Sequence, residues 1–284
     1  MNQGRCLCGS VQYDVDAAFF AVVHCHCSMC RKHHGTPFAT WAVVPSAGYR
    51  LTAGADSIER YESSPGTHRS WCRHCGSVIP ETTPSGEHVV VPAGNLDGDL
   101  PRPQLHMFVK HKAPWFVIAD GLPQHDEWPP GYGMPTVARE PRPAAGAPGV
   151  RGSCLCGAVA YAIDAAPLRF MYCHCSRCRR ARSAAHASNL FYPLDAMRWV
   201  RGEELVVEYA LPGAQHFGVA FCRRCGSGLP RPSPPRNVVL VPAGSLDDDP
   251  GMRPEAHICV DSRANWDVIG ADGIPQLAGL PPAR

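Results

Sequence analysis

Apolar and polar positions alternate in short runs along this chain and never settle into a long helical period. Residues 11–15 read VQYDV, residues 106–110 read HMFVK, and the β-branched stretches EHVVVPAG at 87–94 and RNVVLVPAG at 236–244 stop at Pro and Gly. A period of two gives a strand one buried face. Pro ends such a run because it has no N–H, and Gly because its backbone is free. The pattern predicts an all-β chain of short strands. Only stretches that follow a cysteine, such as CSMCRKHH at 27–34, suit a helix, and there a single turn.

The pattern also repeats. GRCLCGSVQYDV at 4–15 returns as GSCLCGAVAYAI at 152–163, HCHCSMCRK at 24–32 as YCHCSRCRR at 172–180, and WCRHCGS at 71–77 as FCRRCGS at 221–227. VPAGNLDGD at 91–99 matches VPAGSLDDD at 241–249, His106 matches His257, Trp115 matches Trp266, and DGLPQ at 120–124 matches DGIPQ at 272–276. Self-similarity of this length means two copies of one domain. We place them at residues 1–130 and 151–284, joined by the Pro-, Gly- and Ala-rich linker 131–150. Such a repeat allows the copies to pack as a pseudo-dimer. Trp115 and Trp266 lie in alternating segments and read as core, with a substrate-cleft wall as the alternative.

Composition narrows the function. With 27 basic against 25 acidic residues the net charge is +2, which gives no electrostatic footprint for nucleic acid. No apolar run approaches the ~20 residues needed to cross a bilayer, so no membrane partner is expected. The start MNQGRCLCGS lacks the apolar core of a secretory signal, and the expectation is a cytoplasmic protein. In that reducing compartment 15 cysteines point to metal or thiol chemistry rather than to disulfides.

Fourteen of those cysteines fall into two recurring sets. Cys6 and Cys8 are two apart, so both point to one face of an extended segment, and Cys72 and Cys75 have the C-x-x-C spacing that wraps a metal from a tight turn. Together they suit a closed, structural zinc site, repeated as Cys154, Cys156, Cys222 and Cys225. Gly9 and Gly76 fit its close turns. Two unrelated pairs, or a redox-active C-x-x-C, are the alternatives. Cys25, Cys27 and Cys30, repeated as Cys173, Cys175 and Cys178, offer three thiolates without a fourth and suit an open zinc, giving up to four zincs per chain. His24, His26 or His106 could close the first trio instead; His24 is the weakest of these, since Tyr172 replaces it. His26 and His174 alternate with the cysteines and so face the other way, which suits packing or support of the ligands. The fifteenth cysteine, Cys259, aligns with Phe108 and reads as a small buried hydrophobe.

Charge decides what an open trio would do. Three thiolates leave Zn²⁺ with a net charge of −1, a poor activator of water, whereas a fourth thiol binds such a soft site and is held there as a thiolate. Thiol substrates fit better than hydrolysis.

On CLCG, CHCSMCRK, WCRHCGS, VPAGNLD and HMFVKHKAPWFVIADGLPQ in copy one, and their counterparts through HICVDSRANWDVIGADGIPQ in copy two, the chain resembles the glutathione-dependent formaldehyde-activating enzymes and their relative centromere protein V. The resemblance implies two tandem β-tent domains, each with a structural zinc and a second zinc on the trio. It also implies a carbon–sulfur lyase-type reaction that joins glutathione or a similar thiol to a small aldehyde such as formaldehyde. A non-catalytic zinc module that binds glutathione or a protein partner is the alternative. Arg31, Lys32 and Arg69 are the candidate contacts for the carboxylates of such a thiol, and no residue is identified as the proton donor. Arg69 aligns with Val219, and HHGTPF after the first trio becomes ARSAAH after the second. These departures make copy one the more active half.

Overall fold

The computed structural model of the chain describes residues 1–131 and 149–281. The expected linker lies, apart from its ends, outside the described residues. Each copy builds the same three small sheets. In copy one the strand Ala21–Cys25 pairs antiparallel with Ala39–Pro45 and parallel with His106–Met107, in a six-stranded sheet that also holds His88–Pro92, Glu81–Thr82 and Gln124–His125. In copy two Arg169–Cys173 takes that place between Ala187–Pro193 and Ala256–Ile258. A second sheet leads into the first cysteine pair, with Asn2–Arg5 against Gln12–Val15 and Val150–Ser153 against Ala160–Ile163. The third carries the C-x-x-C, with Thr67–Cys72 against Ile58–Ser64 and Gly218–Cys222 against Val206–Ala210.

This is the all-β architecture expected, with two α-helices among the described residues: α1 (Ser28–His34) and α2 (Ser176–Arg182). Both are longer than the single turn the sequence suggested, because both ends are capped. At the start of α1 the Cys27 sulfur accepts the Cys30 N–H, and at its end Gly35 adopts the left-handed conformation, its N–H bonding Arg31 O.

The copies share their cores. Trp115 of copy one is buried among copy-two residues, with its ring 5.2 Å from Phe170, while Trp266 of copy two is buried with Val22, Val44 and Val89 of copy one. An indole removes on the order of 200 Å² from water, so each exchange stabilises the joined copies by up to about 5 kcal/mol. Both tryptophans are core, as expected, but each in the other copy's core. Gly76 and Gly226 follow the C-x-x-C cysteines at φ 72° and 68°. A Cβ on Gly76 would lie 2.6 Å from Phe221, and one on Gly226 2.5 Å from Trp71. The turn and the approach of the other copy both require glycine there.

Candidate metal centres

Cys6, Cys8, Cys72 and Cys75 converge, with their sulfurs all within 4.8 Å of one another, and so do Cys154, Cys156, Cys222 and Cys225. The Cys6–Cys8 and Cys8–Cys72 sulfurs are 3.4 and 3.7 Å apart, and the Cys154–Cys156 and Cys156–Cys222 sulfurs 3.4 and 3.9 Å apart. Four sulfurs on tetrahedral bonds of about 2.3 Å would sit about 3.8 Å apart, so these sets could hold a zinc ion. Backbone N–H groups aim at the sulfurs as well: Val11 N to Cys6 at 3.3 Å, Val159 N to Cys154 at 3.2 Å and Arg224 N to Cys222 at 3.4 Å. Such donors favour thiolate over thiol. Every one of these cysteines is free.

The trios converge too. Cys25 ends its strand, Cys27 caps α1 and Cys30 lies in its first turn, and the three sulfurs fall within 4.8 Å, as do those of Cys173, Cys175 and Cys178. Among the described residues neither trio's cluster has a fourth member. His24 and His106 cluster with Asp120 instead, and the His26 ring bonds His106. A soft three-sulfur set fits a zinc ion with a position left over.

Arg69 reaches this sulfur set in copy one. Its Nη1 and Nη2 lie 3.7 and 3.8 Å from Cys30 Sγ, and its Nε donates to Ser63 Oγ at 3.2 Å. Burial works against the cation, but the adjacent cysteines outweigh it and raise its pKa. Val219, at the matching position, is buried in a cluster with Cys6, Leu7 and Cys72 of copy one and brings no charge to its own trio. Burial lowers the pKa of Arg31, and the charges of Cys27 and Asp247 oppose that shift.

Lys32 lies elsewhere than a substrate contact would need. Its ammonium donates to Ser153 O at 2.8 Å, Ser153 Oγ at 3.0 Å and Asp247 Oδ1 at 2.6 Å, all in copy two. Arg180 of α2 does the same in reverse, bonding Asn95 O at 3.1 Å and pairing with Asp97 of copy one. Each trio helix thus plants a cation in the opposite copy. His33 Nδ1 on α1 meets the Cys225 carbonyl at 3.1 Å, so α1 also touches the four-cysteine turn of copy two.

Cys259 is half-buried and packs with the second trio. Phe108 packs against the first trio from the same position. Sequence reasoning missed the buried histidine–aspartate chains behind the trios. In copy one His26 Nε2 meets His106 Nδ1 at 2.8 Å and His106 Nε2 meets Asp120 at 2.9 Å. In copy two the chain runs Asp267–His174–His257–Asp272 at 2.9 Å per link. The signal was available for Asp120 and Asp272, which open the recurring DGLPQ and DGIPQ. Asp267 aligns with Phe116 and carried none.

A family model described as glutathione-dependent formaldehyde-activating enzyme matches residues 1–111 and 149–262. No curated protein is detectably similar to the chain. Among solved structures, the crystal structure of a Rhodobacter sphaeroides protein is 27% identical and covers 35% of this chain and 91% of its own, with a TM-score of 0.31.

Proposed function

We propose, from the premise that this chain belongs to the glutathione-dependent formaldehyde-activating enzyme family in both copies, that copy one is a zinc-dependent carbon–sulfur lyase-type site that joins glutathione or a similar thiol to a small aldehyde such as formaldehyde. The observation that carries this reading is the Arg69 guanidinium on Cys30, beside a three-sulfur set with no fourth member in its cluster. Zinc would be held by Cys25, Cys27 and Cys30, and when bound it supplies a soft position at which a fourth thiol persists as thiolate at neutral pH.

The residues of the chain do the rest. Sulfur adds to the aldehyde carbon, the carbonyl pair moves to oxygen, and that oxygen needs a donor while it becomes negative. Arg69 is a fixed, permanently charged donor at the edge of the sulfur set, oriented by Ser63. It offsets the charge of three thiolates and is the contact best suited to a substrate carboxylate or to the developing oxyanion. Arg31 adds a second cation toward Cys27. Phe108 and Trp128, with rings 5.0 Å apart, pack beside the trio and limit water. Lys32 serves the union of the copies, which we read as a pseudo-dimer.

For copy two we favour a zinc module. Val219 brings no charge, and Cys259 and Phe217 crowd its trio. The structural zincs belong on Cys6, Cys8, Cys72 and Cys75 and on Cys154, Cys156, Cys222 and Cys225, for four zincs in the full chain. Fifteen free thiols suit the cytoplasm.

The test is formation of S-hydroxymethylglutathione by zinc-verified full-length protein. Cys27→Ser should remove most of the turnover and Cys175→Ser should leave most of it. Arg69→Val, which copies the second half, should lose roughly 10- to 100-fold in kcat/KM, as expected for one charge-assisted contact. Turnover shared evenly between the trios, or insensitive to Arg69, would sink the assignment.

A further inference from the structure

The cleft between the copies holds titratable side chains that the thiol reaction does not use. It is lined by His24 and Asp120 of copy one and by His174, His186, Asp267 and Asp272 of copy two, with Phe38, Phe116 and Val117 among its apolar walls. His24 lies one residue before Cys25, so its side chain leaves the opposite face of the strand from the trio, and the parallel pairing of His106 with His24 brings the second imidazole beside it. The rings are 4.8 Å apart, and one ligand atom from each of His24, His106 and Asp120 falls within 4.8 Å of the other two.

We propose that His24, His106 and Asp120 form a metal site of a different kind from the cysteine sets, taking one borderline divalent cation such as Fe²⁺, Co²⁺, Ni²⁺ or Zn²⁺ on two imidazole nitrogens and one carboxylate oxygen. The donor set is the two-histidine, one-carboxylate combination that suits these ions and leaves positions open. The atoms that would not bind metal already have partners. His24 Nδ1 bonds Thr40 Oγ1 at 2.9 Å and so presents Nε2. His106 Nδ1 bonds His26 Nε2 at 2.8 Å and so presents Nε2. Asp120 Oδ1 accepts the Leu122 N–H at 3.1 Å and so leaves Oδ2. Outer contacts of this sort orient metal ligands and fix which ring nitrogen coordinates.

His106 Nε2 and Asp120 Oδ2 are 2.9 Å apart. Two donors on bonds of about 2.1 Å at that separation subtend roughly 90° at a shared ion. A proton is the other occupant that could bridge them, and His257 and Asp272 form that same pair at 2.9 Å in copy two. The pair therefore occurs in both copies, whereas His24 belongs to copy one alone: Tyr172 fills its position in copy two, so packing there does not require an imidazole.

The site is independent of the sulfur sets, and its test separates the two. Full-length protein is saturated with Zn²⁺, titrated with Co²⁺, desalted and analysed for both metals, alongside His24→Tyr and Asp120→Asn. His24→Tyr brings in the residue that copy two carries at the same place, and thermal unfolding verifies that the variants are folded. Zinc plus cobalt should total one more per chain in the wild type than in either variant, with the zinc of the cysteine sets unchanged. Any cobalt at the site should absorb in the visible without a thiolate charge-transfer band. Thr40→Val should keep the stoichiometry and weaken the affinity roughly 10-fold. Equal metal totals in the wild type and a folded variant would overturn the site and leave His24 and His106 as hydrogen-bonded core residues.

Discussion

Replacing Lys32 by Met would separate the two roles a cation after the trio could have. The ammonium and the Asp247 carboxylate are 2.6 Å apart, with the two side chains 8% and 1% exposed, and they belong to different copies. Methionine keeps most of the volume and removes the charge. Asp247 would keep the Ser153 hydroxyl at 2.8 Å and lose its counter-ion. Ser153 O would lose its 2.8 Å donor. Breaking a buried pair from one side costs about 3–5 kcal/mol, because the remaining charge is stranded out of water. With a urea slope of about 3 kcal/mol per molar, the unfolding midpoint should fall by about 1–1.7 M. Lys32→Met with Asp247→Leu should recover much of the loss, since both ends are then apolar, and the double-mutant cycle reads the coupling directly. The KM for glutathione should barely move in a preparation matched for folded protein. A midpoint shift of less than about 0.3 M together with a raised KM would refute the reasoning and return Lys32 to the substrate.

Cys72→Ser should yield destabilised or insoluble protein, because a closed metal site is coupled to folding, whereas Cys27→Ser should stay soluble and lose one zinc by elemental analysis; equal solubility losses would make the trio structural. His186 is buried with its pKa lowered to about 3, mainly by desolvation and then by His174. The unfolded chain, with a histidine pKa near 6.5, binds a proton that the folded one refuses, so stability falls as pH drops below about 6.5, by about 1.4 kcal/mol at pH 5.5 for this residue. His186→Phe, which installs the Phe38 of copy one, should reduce the fall in urea midpoint between pH 7.5 and 5.5; an unchanged fall would exonerate His186.

The elements legible in the sequence were those set by local rules. Alternation and β-branching marked strands such as His88–Pro92, and the recurring blocks revealed the duplication before any contact was known. Cysteine spacing located all four sulfur sets, because two residues in an extended segment, or C-x-x-C in a turn, leave little choice of direction. Long-range information was not legible. Arg31-Lys32 and Arg179-Arg180 follow their trios in the same way, and Lys32 read as a contact for a substrate carboxylate, yet Lys32 and Arg180 each reach more than eighty residues along the chain into the other copy. The exchange of Trp115 and Trp266 was hidden for the same reason. Periodicity reports that a side chain is buried and not which core buries it. The α1 helix outgrew its expected turn because a cysteine is a poor N-cap on paper, and here its sulfur takes the cap position.

What the two copies hold in common and where they part falls into a pattern with a physical cause. Contacts that join the copies come in matched pairs: Lys32 to Asp247 with Arg180 to Asp97, Trp115 with Trp266, and Gly76 against Phe221 with Gly226 against Trp71. Those are the contacts an isologous two-fold interface would make between identical chains. In a homodimer every substitution appears twice, so a histidine at the position of His24 would arrive in both halves of the central cleft, and an arginine at the position of Arg69 at both trios. Fusion into one chain removes that constraint. Arg69 and Val219, His24 and Tyr172, Phe38 and His186, and Phe116 and Asp267 then differ without disturbing the shared core. The differences fall beside the trios, around the cleft and at the Val219 packing site, all places where chemistry or packing can change locally. The duplication therefore supplies two scaffolds that pack into each other's cores, with an arginine at the Arg69 position of one copy and a packed valine at the matching position of the other.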